Sequence, residues 1–245
     1  FLGQMHLEDP RERYWRHAMQ FFYLCTRPIA LEETVFNQEV CAFVEVTLAD
    51  FDDLVMRIRA ATMDAIDAVK TCSPDAMIMG MSAETFWDGK DRADKLQAEI
   101  VERAGMNVAM GSDACMNALK CFGDIKRIAV VTPYMPVGDK QVERYFTECG
   151  FEVVQVKGLK CGSPVLIAHE TEKALRDAIN EVNDPSVEAI VQAGTNLAMA
   201  RVGGIAEFWL DKPVIAINTA TYWHALRMNG IEDKVQGFGT LLSHH

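Results

Sequence analysis

Two stretches of this chain follow one plan, and their kinship constrains the fold more than any other feature. In the first half, Ser73-Pro74-Asp75 leads into the apolar run Ala76-Met77-Ile78-Met79, which closes on Gly80-Met81-Ser82. In the second half, Ser186-Val187-Glu188 leads into Ala189-Ile190-Val191-Gln192, which closes on Ala193-Gly194-Thr195-Asn196. A second short apolar run follows each, at 107–110 and 213–216. A helical stretch comes next, ending Asn117-Ala118-Leu119-Lys120 in one half and His224-Ala225-Leu226-Arg227 in the other. Leu24-Cys25-Thr26-Arg27-Pro28 and Val130-Val131-Thr132-Pro133-Tyr134 match more loosely. An internal repeat of this length implies two related structural units. Chance similarity is the competing reading, since the repeat is degenerate.

Four-residue apolar runs bounded by turn residues read as strands buried on both faces. Strands are expected at 20–25, 76–79, 107–110, 125–131, 151–156, 189–192 and 214–217. Between them lie stretches of helical period at 50–69, 92–104, 112–122, 139–149, 164–182, 199–209 and 219–229. Gly105 stops one of these and Asp50 can cap another. Strands alternating with helices predict an α/β fold with parallel sheets. The expected division is a first lobe over 20–124, whose C-terminal segment can cross over, a second lobe over 125–240, and an extension over 1–19.

Composition narrows the partners. The formal charge of −11 over 245 residues disfavours a nucleic-acid backbone, whose binding needs a basic surface. No apolar stretch reaches the length of a membrane helix, and residues 1–20 are too polar for a signal peptide. Seven cysteines, an odd number with no CxxC spacing, argue against a disulfide framework and for a cytoplasmic location. No His or Cys pair has zinc-ligand spacing. Walker, GxGxxG and Schiff-base signatures are missing too, so no cofactor is expected.

Ligands of parallel sheets collect beyond the carboxyl ends of the strands. Four turns fall there: Thr26-Arg27-Pro28, Gly80-Met81-Ser82, Thr132-Pro133-Tyr134 and Gly194-Thr195-Asn196. Glycine lets backbone N–H groups come close to a ligand, and a following helix start favours an anion. Ser82, Thr132, Tyr134, Thr195 and Asn196 add side-chain donors. Together they describe a cage for a carboxylate or a developing enolate. Helix capping and turn shaping are the alternative roles for the same residues.

At these turns the chain resembles the arylmalonate decarboxylase and maleate cis–trans isomerase group of the aspartate/glutamate racemase superfamily. The carriers are MIMGMSAETFWDG (77–89), IAVVTPYMPVGDKQVERYFTECGFEVV (128–154) and IVQAGTNLAMARV (190–202), and the likeness extends over roughly 23–239. The stretch through KPVIAINTATYWHALRMNGI is most like maleate isomerases. The resemblance implies two pseudo-symmetric parallel-sheet lobes with the active site in the cleft between them. It also implies a small carboxylate substrate, no cofactor, and a carboxylate site at Pro28, Gly80, Met81, Ser82, Thr132, Gly194, Thr195 and Asn196, with Tyr134 retained. Relatives place one or two catalytic cysteines at the positions occupied here by Gly80 and Gly194. The family's asparagine after the first-turn proline is not evident. Racemisation by a cysteine pair, or covalent isomerisation through it, is thereby put in doubt.

Several groups are candidates for the lost chemistry. Tyr134 and Glu33 are the leading catalytic ones, and Glu84, like Glu33, follows a cleft turn and could act as acid or base if desolvated. Cys25, Cys115 and Cys161 lie near turns or helix starts that could lower a thiol pKa, though buried thiols are usually inert. Arg27 and Arg201 could recruit an anion. His169 and His224 read as surface or satisfied core residues. Phe86-Trp87, Phe208-Trp209 and Tyr222-Trp223 could line an aromatic pocket or fill the core. The expected activity is a cofactor-independent carbon–carbon lyase, a decarboxylase working through an enolate. The alternatives are an isomerase or racemase with a relocated base, and a non-catalytic carboxylate-binding protein. The partner is a small carboxylate, and the chain is a monomer or a homo-oligomer.

Overall fold

The computed structural model describes residues 15–24, 41–46, 51–162 and 164–245. Among the described residues there are two four-stranded sheets. The first has strand order β2-β1-β3-β4, from β1 (Trp15–Leu24), β2 (Cys41–Val46), β3 (Ala76–Met79) and β4 (Val108–Ala109). The second has order β6-β5-β7-β8, from β5 (Arg127–Thr132), β6 (Glu152–Gly158), β7 (Ala189–Gln192) and β8 (Val214–Ala216). β3 and β4 run parallel, as do all neighbours of the second sheet. β1 joins both β2 and β3 antiparallel, so the first sheet is mixed. β2 is an element the apolar pattern did not reveal.

The repeated runs form β3 and β7, and every residue of both is buried. Burial on two faces explains why they read as unbroken apolar runs. Helices cover the sheets: α1 (Phe51–Lys70) and α2 (Lys90–Ala104) lie with the first, and α3 (Gly111–Cys121), which packs into the core under the second, lies there with α4 (Pro136–Glu148), α5 (Pro164–Ile167), α6 (Glu172–Val182) and α7 (Ala200–Leu210). α8 (Ile217–Met228) and α9 (Thr240–His244) end the chain. α6 buries Leu175, Ala178, Ile179 and Val182, a stripe at helical spacing.

Two expected helices begin elsewhere, for local reasons. The helix expected over 164–182 is two, because Thr171 is extended (φ −81°, ψ 151°) and its hydroxyl accepts from Ala174 N at 3.1 Å, capping α6 afresh. His169 and Glu170 therefore sit in the link. α4 starts three residues early, at Pro136, whose fixed φ and missing N–H suit the first helical position.

The halves share one core. Phe86 from the first packs edge-on against Tyr145 from the second at 5.2 Å, and Phe146 lies 5.8 Å from Phe86 and 5.5 Å from Tyr145. α8 crosses over: Ala225 packs on Ile78 of β3 and Ala109 of β4, and Asn107 Nδ2 donates to Met228 O at 3.0 Å. α3 meets α8 closely, since a Cβ on Gly111 would fall 2.6 Å from Ile217 Cδ1. Asp113 accepts from His224 Nε2 at 3.0 Å across the same contact.

The aromatic residues do not gather into one pocket. Phe86 and Trp223 are buried in the shared core, whereas Phe208 is 90% exposed. Hydrophobic burial claims the first two, and the surface face of α7 carries the third. Phe146 is wholly buried among Phe86, Tyr145 and Phe151. Phe146→Ala is expected to cost roughly 3–5 kcal/mol of unfolding free energy, by lost transfer energy and the cavity left behind. Urea titration checks it, and a loss under about 1 kcal/mol would show that the halves do not depend on this contact.

Candidate functional site

The second sheet brings two of the turns together by its register. Val131 of β5 pairs with Gln192 of β7, and Ala193 N donates to Val131 O at 3.0 Å. The residues that follow, Pro133-Tyr134 and Gly194-Thr195, therefore leave the sheet side by side. Gly194 has φ +104°, and a Cβ there would lie 2.5 Å from the Pro133 ring. Its lack of a side chain lets the two turns touch. Gln192, a buried polar residue, donates from its amide to Ala193 O at 2.8 Å and Gly194 O at 2.7 Å. That fixes the peptide planes of the turn.

The third turn comes from the other sheet. Ser82, 2% exposed, follows β3 and precedes a 3-10 turn over Ala83–Phe86. Its Oγ accepts from Thr195 N at 3.0 Å, donates to Thr195 Oγ1 at 3.4 Å, and lies 3.2 Å from Tyr134 Oη. A serine hydroxyl has one proton and two acceptor positions. With the tyrosine donating to Ser82, all three are used, and the Thr195 hydroxyl proton is left to point at a ligand. Three of the expected cage residues thus meet at one point between the halves.

Supporting groups hold this junction. Thr132 Oγ1 donates to Asp139 Oδ1 at 2.5 Å and accepts from Tyr134 N at 3.1 Å, locking the Thr132-Pro133-Tyr134 turn. A Cβ on Gly138 would sit 2.8 Å from Tyr134 Cβ, so that glycine makes room for the ring. Residues after β6 strap the turn from outside: Lys160 N donates to Tyr134 O at 3.2 Å and Cys161 N to Pro133 O at 3.0 Å. Asn218 Nδ2 donates to Thr195 O at 2.8 Å. Asp139, Gln192 and Asn218 were not legible as site residues, because their partners are distant in sequence or set by the turn's geometry.

Three expected site residues that the structure describes make no bond of the junction. Gly80 is partly exposed, Met81 packs against the first-sheet core, and Asn196 is exposed. Pro28 and Glu33, with Cys25 and Arg27, lie outside the described residues. Arg201 and His169 are exposed. The depressions lined by Phe122, Lys212 and Thr240, or by Ile205, Phe208 and Ser243, include no residue of the junction.

Electrostatics sorts the candidate acids and bases. Desolvation pushes the Tyr134 phenol up to about 12, against a partial lowering by its bond to Ser82. It stays protonated at neutral pH and is a donor. Cys115 and Cys161 do not have the lowered pKa that a helix start could have given them. Burial pushes Cys115 far up, and burial with a bond to Glu170 raises Cys161 to about 11. Neither offers a thiolate at neutral pH.

Glu84 is 1% exposed rather than on a solvated face. Burial pushes its carboxyl from 4.5 up to about 8, although the Arg59 charge and a bond from Thr62 Oγ1 at 3.5 Å pull the other way. The folded state therefore holds a proton that the unfolded chain releases between pH 4.5 and 8. Stability from this group is complete below 4.5 and falls as pH rises toward 8. Glu84→Gln is expected to flatten that decline by a few kcal/mol, roughly 1.4 kcal/mol for each pKa unit removed. Denaturant midpoints measured from pH 4.5 to 8.5 check it, and parallel curves for the two proteins contradict it. Gly194→Cys is expected to lose at least ~2 kcal/mol, because a side chain there is both left-handed and crowded by Pro133. Unchanged thermal stability would show that the turns have room for a thiol.

Comparison with known proteins agrees with the fold. A maleate isomerase from Alcaligenes faecalis is 23% identical over 247 residues, covering 99% of this chain and 88% of that protein. A cysteine-to-serine variant of Nocardia farcinica maleate cis–trans isomerase, with a covalently bound succinylcysteine intermediate, superposes with TM-score 0.74 at 18% identity, over 78% of this chain and 80% of that one. Arylmalonate decarboxylase superposes with TM-score 0.69 at 19% identity, over 81% of this chain and 87% of that one. The model of the arylmalonate decarboxylase family matches residues 27–242, and the chain belongs to that family.

Proposed function

We propose that this chain is a cofactor-independent carbon–carbon lyase that decarboxylates a small carboxylate through an enolate. The observation that carries the reading is the three-hydroxyl junction of Ser82, Tyr134 and Thr195, built from turns of both halves. These groups bond to one another. A bound carboxylate takes over those bonds at little cost in reorganisation.

When the carbon–carbon bond breaks, its electron pair passes into the remaining acid and carbon dioxide leaves. The resulting enolate oxygen accepts from the Ser82 and Thr195 hydroxyls and from the Thr195 N–H. A preorganised donor of this kind lowers the barrier by ~3 kcal/mol. Tyr134, whose phenol remains protonated to about 12, delivers the proton to the carbon. Its phenolate is then refilled from solvent. Glu33, which in the sequence follows Thr26-Arg27-Pro28, is the second candidate acid.

Isomerisation is the alternative, favoured by the likeness to maleate isomerases along 99% of the chain. One isomerase neighbour carries a covalently bound succinylcysteine intermediate, whereas the two positions at which the resemblance implies thiols are Gly80 and Gly194 here. The second of these is closed by Pro133. These features favour the lyase.

Carbon dioxide release from a panel of alkyl- and arylmalonates tests the reading. Tyr134→Phe is expected to lower kcat about 100-fold or more with the fold intact by circular dichroism. Undiminished release by the variant removes Tyr134 from the mechanism. Conversion of maleate to fumarate without carbon dioxide release selects isomerisation instead.

A further inference from the structure

One side of α7 is apolar and turned to solvent. Phe208 is 90% exposed and Ile205 55%, and their spacing of three puts them on one helix face. Trp209 is exposed beside them, with its indole N–H held by Asn180 Oδ1 at 3.2 Å. A lone exposed apolar side chain is ordinary, whereas a group of them on one face marks a contact surface. The surface next to them is hollowed. A Cβ on Gly204 would fall 2.5 Å from Gly239 N, so this glycine lets the chain ahead of α9 come against the helix. A depression of about 400 Å³ results, lined by Gly204, Ile205, Phe208, Gly237 and Gly239 among others.

The charges of α7 indicate what covers this face. Arg201 stands in the first turn and Asp211 caps the C-terminus, and both are exposed. A helix carries partial positive charge at its N-terminus and partial negative charge at its C-terminus, so each residue sits at the end that repels it. The first turn has no acidic residue and the last turn no basic one to offset this. A second copy of α7, packed antiparallel, corrects both ends at once. It brings the partner's Asp211 to this N-terminus and the partner's Arg201 to this C-terminus.

The spacing permits the two kinds of contact in one register. Arg201 and Asp211 lie five residues on either side of Ala206, and Gly204 and Phe208 lie two on either side. A two-fold axis at the level of Ala206 therefore pairs the opposite charges and sets each Phe208 over Gly204 of the other copy, at the depression. Such self-complementarity is what a two-fold interface requires, and an aromatic centre with a charged rim is its usual composition.

We propose that the exposed face of α7 is a homodimer interface, in which two copies of the helix pack antiparallel with Phe208 of each seated beside Gly204 of the other. No residue of the hydroxyl junction takes part, so the inference stands apart from the lyase reading.

Sedimentation equilibrium of the whole chain over a range of concentrations tests it. The expected result is a species of twice the chain's mass that dissociates on dilution. Phe208→Glu is expected to give a monomer with an unchanged thermal midpoint, because the side chain it replaces is exposed in the single chain. Arg201→Asp and Asp211→Arg are each expected to weaken association about tenfold or more, and the two together to restore it. A monomer at every concentration up to about 0.1 mM overturns the proposal. A dimer that survives Phe208→Glu overturns it too, since the contact then lies on another face. A double variant as weak as the single ones overturns the antiparallel pairing.

Discussion

The reaction proposed for this chain hangs on the contact between Ser82 and Thr195. The two residues are separated by 113 positions and belong to different sheets, yet one N–H···O bond and one O–H···O bond join them. Three conditions make this possible. β5 and β7 must lie in register, so that Pro133 and Gly194 leave the second sheet together. Gly194 must lack a side chain, because the Pro133 ring occupies its place. The halves must also be held firmly, which the Phe86, Tyr145 and Phe146 stack and the crossing of α8 provide.

The proposed anion site departs from the chemistry that the resemblance leads one to expect. Gly80 and Gly194 occupy the positions at which that resemblance implies thiols. The described cysteines with strongly raised pKa values, Cys115 and Cys161, are buried or tied to a carboxylate. What remains is a set of neutral donors. Such groups stabilise an enolate and can protonate it, but they form no covalent adduct. A tyrosine held protonated to about 12 suits that task, since a donor loses its value once ionised.

Much of this was legible in the sequence, and the limits have physical causes. The strand over Ala189–Gln192 was read to the residue because burial on both faces leaves an unbroken apolar run with sharp ends. That the turns carrying Ser82, Tyr134 and Thr195 follow strands was legible, and the last two leave one parallel sheet side by side, whereas the meeting of Ser82 with them across two sheets is a tertiary fact. Periodicity carries no information on strand direction, so the antiparallel pairing of β1 went unseen, as did β2. The break between α5 and α6 depends on one threonine hydroxyl that helical spacing does not register. Asp139 and Asn218 support the turns through contacts that arise only after folding. Glu84 was visible as a carboxyl near a cleft turn, but its burial against Arg59 is a tertiary fact. Pro28 and Glu33 lie outside the described residues.

The central claim is that the Ser82, Tyr134 and Thr195 hydroxyls constitute the carboxylate site. A crystal structure of the chain soaked with malonate tests it most directly. The account predicts a carboxylate whose oxygens lie about 2.7–3.1 Å from these donors, with the Ser82–Thr195 bonds opened to receive it. Malonate bound elsewhere, with the three hydroxyls still bonded to one another, contradicts it.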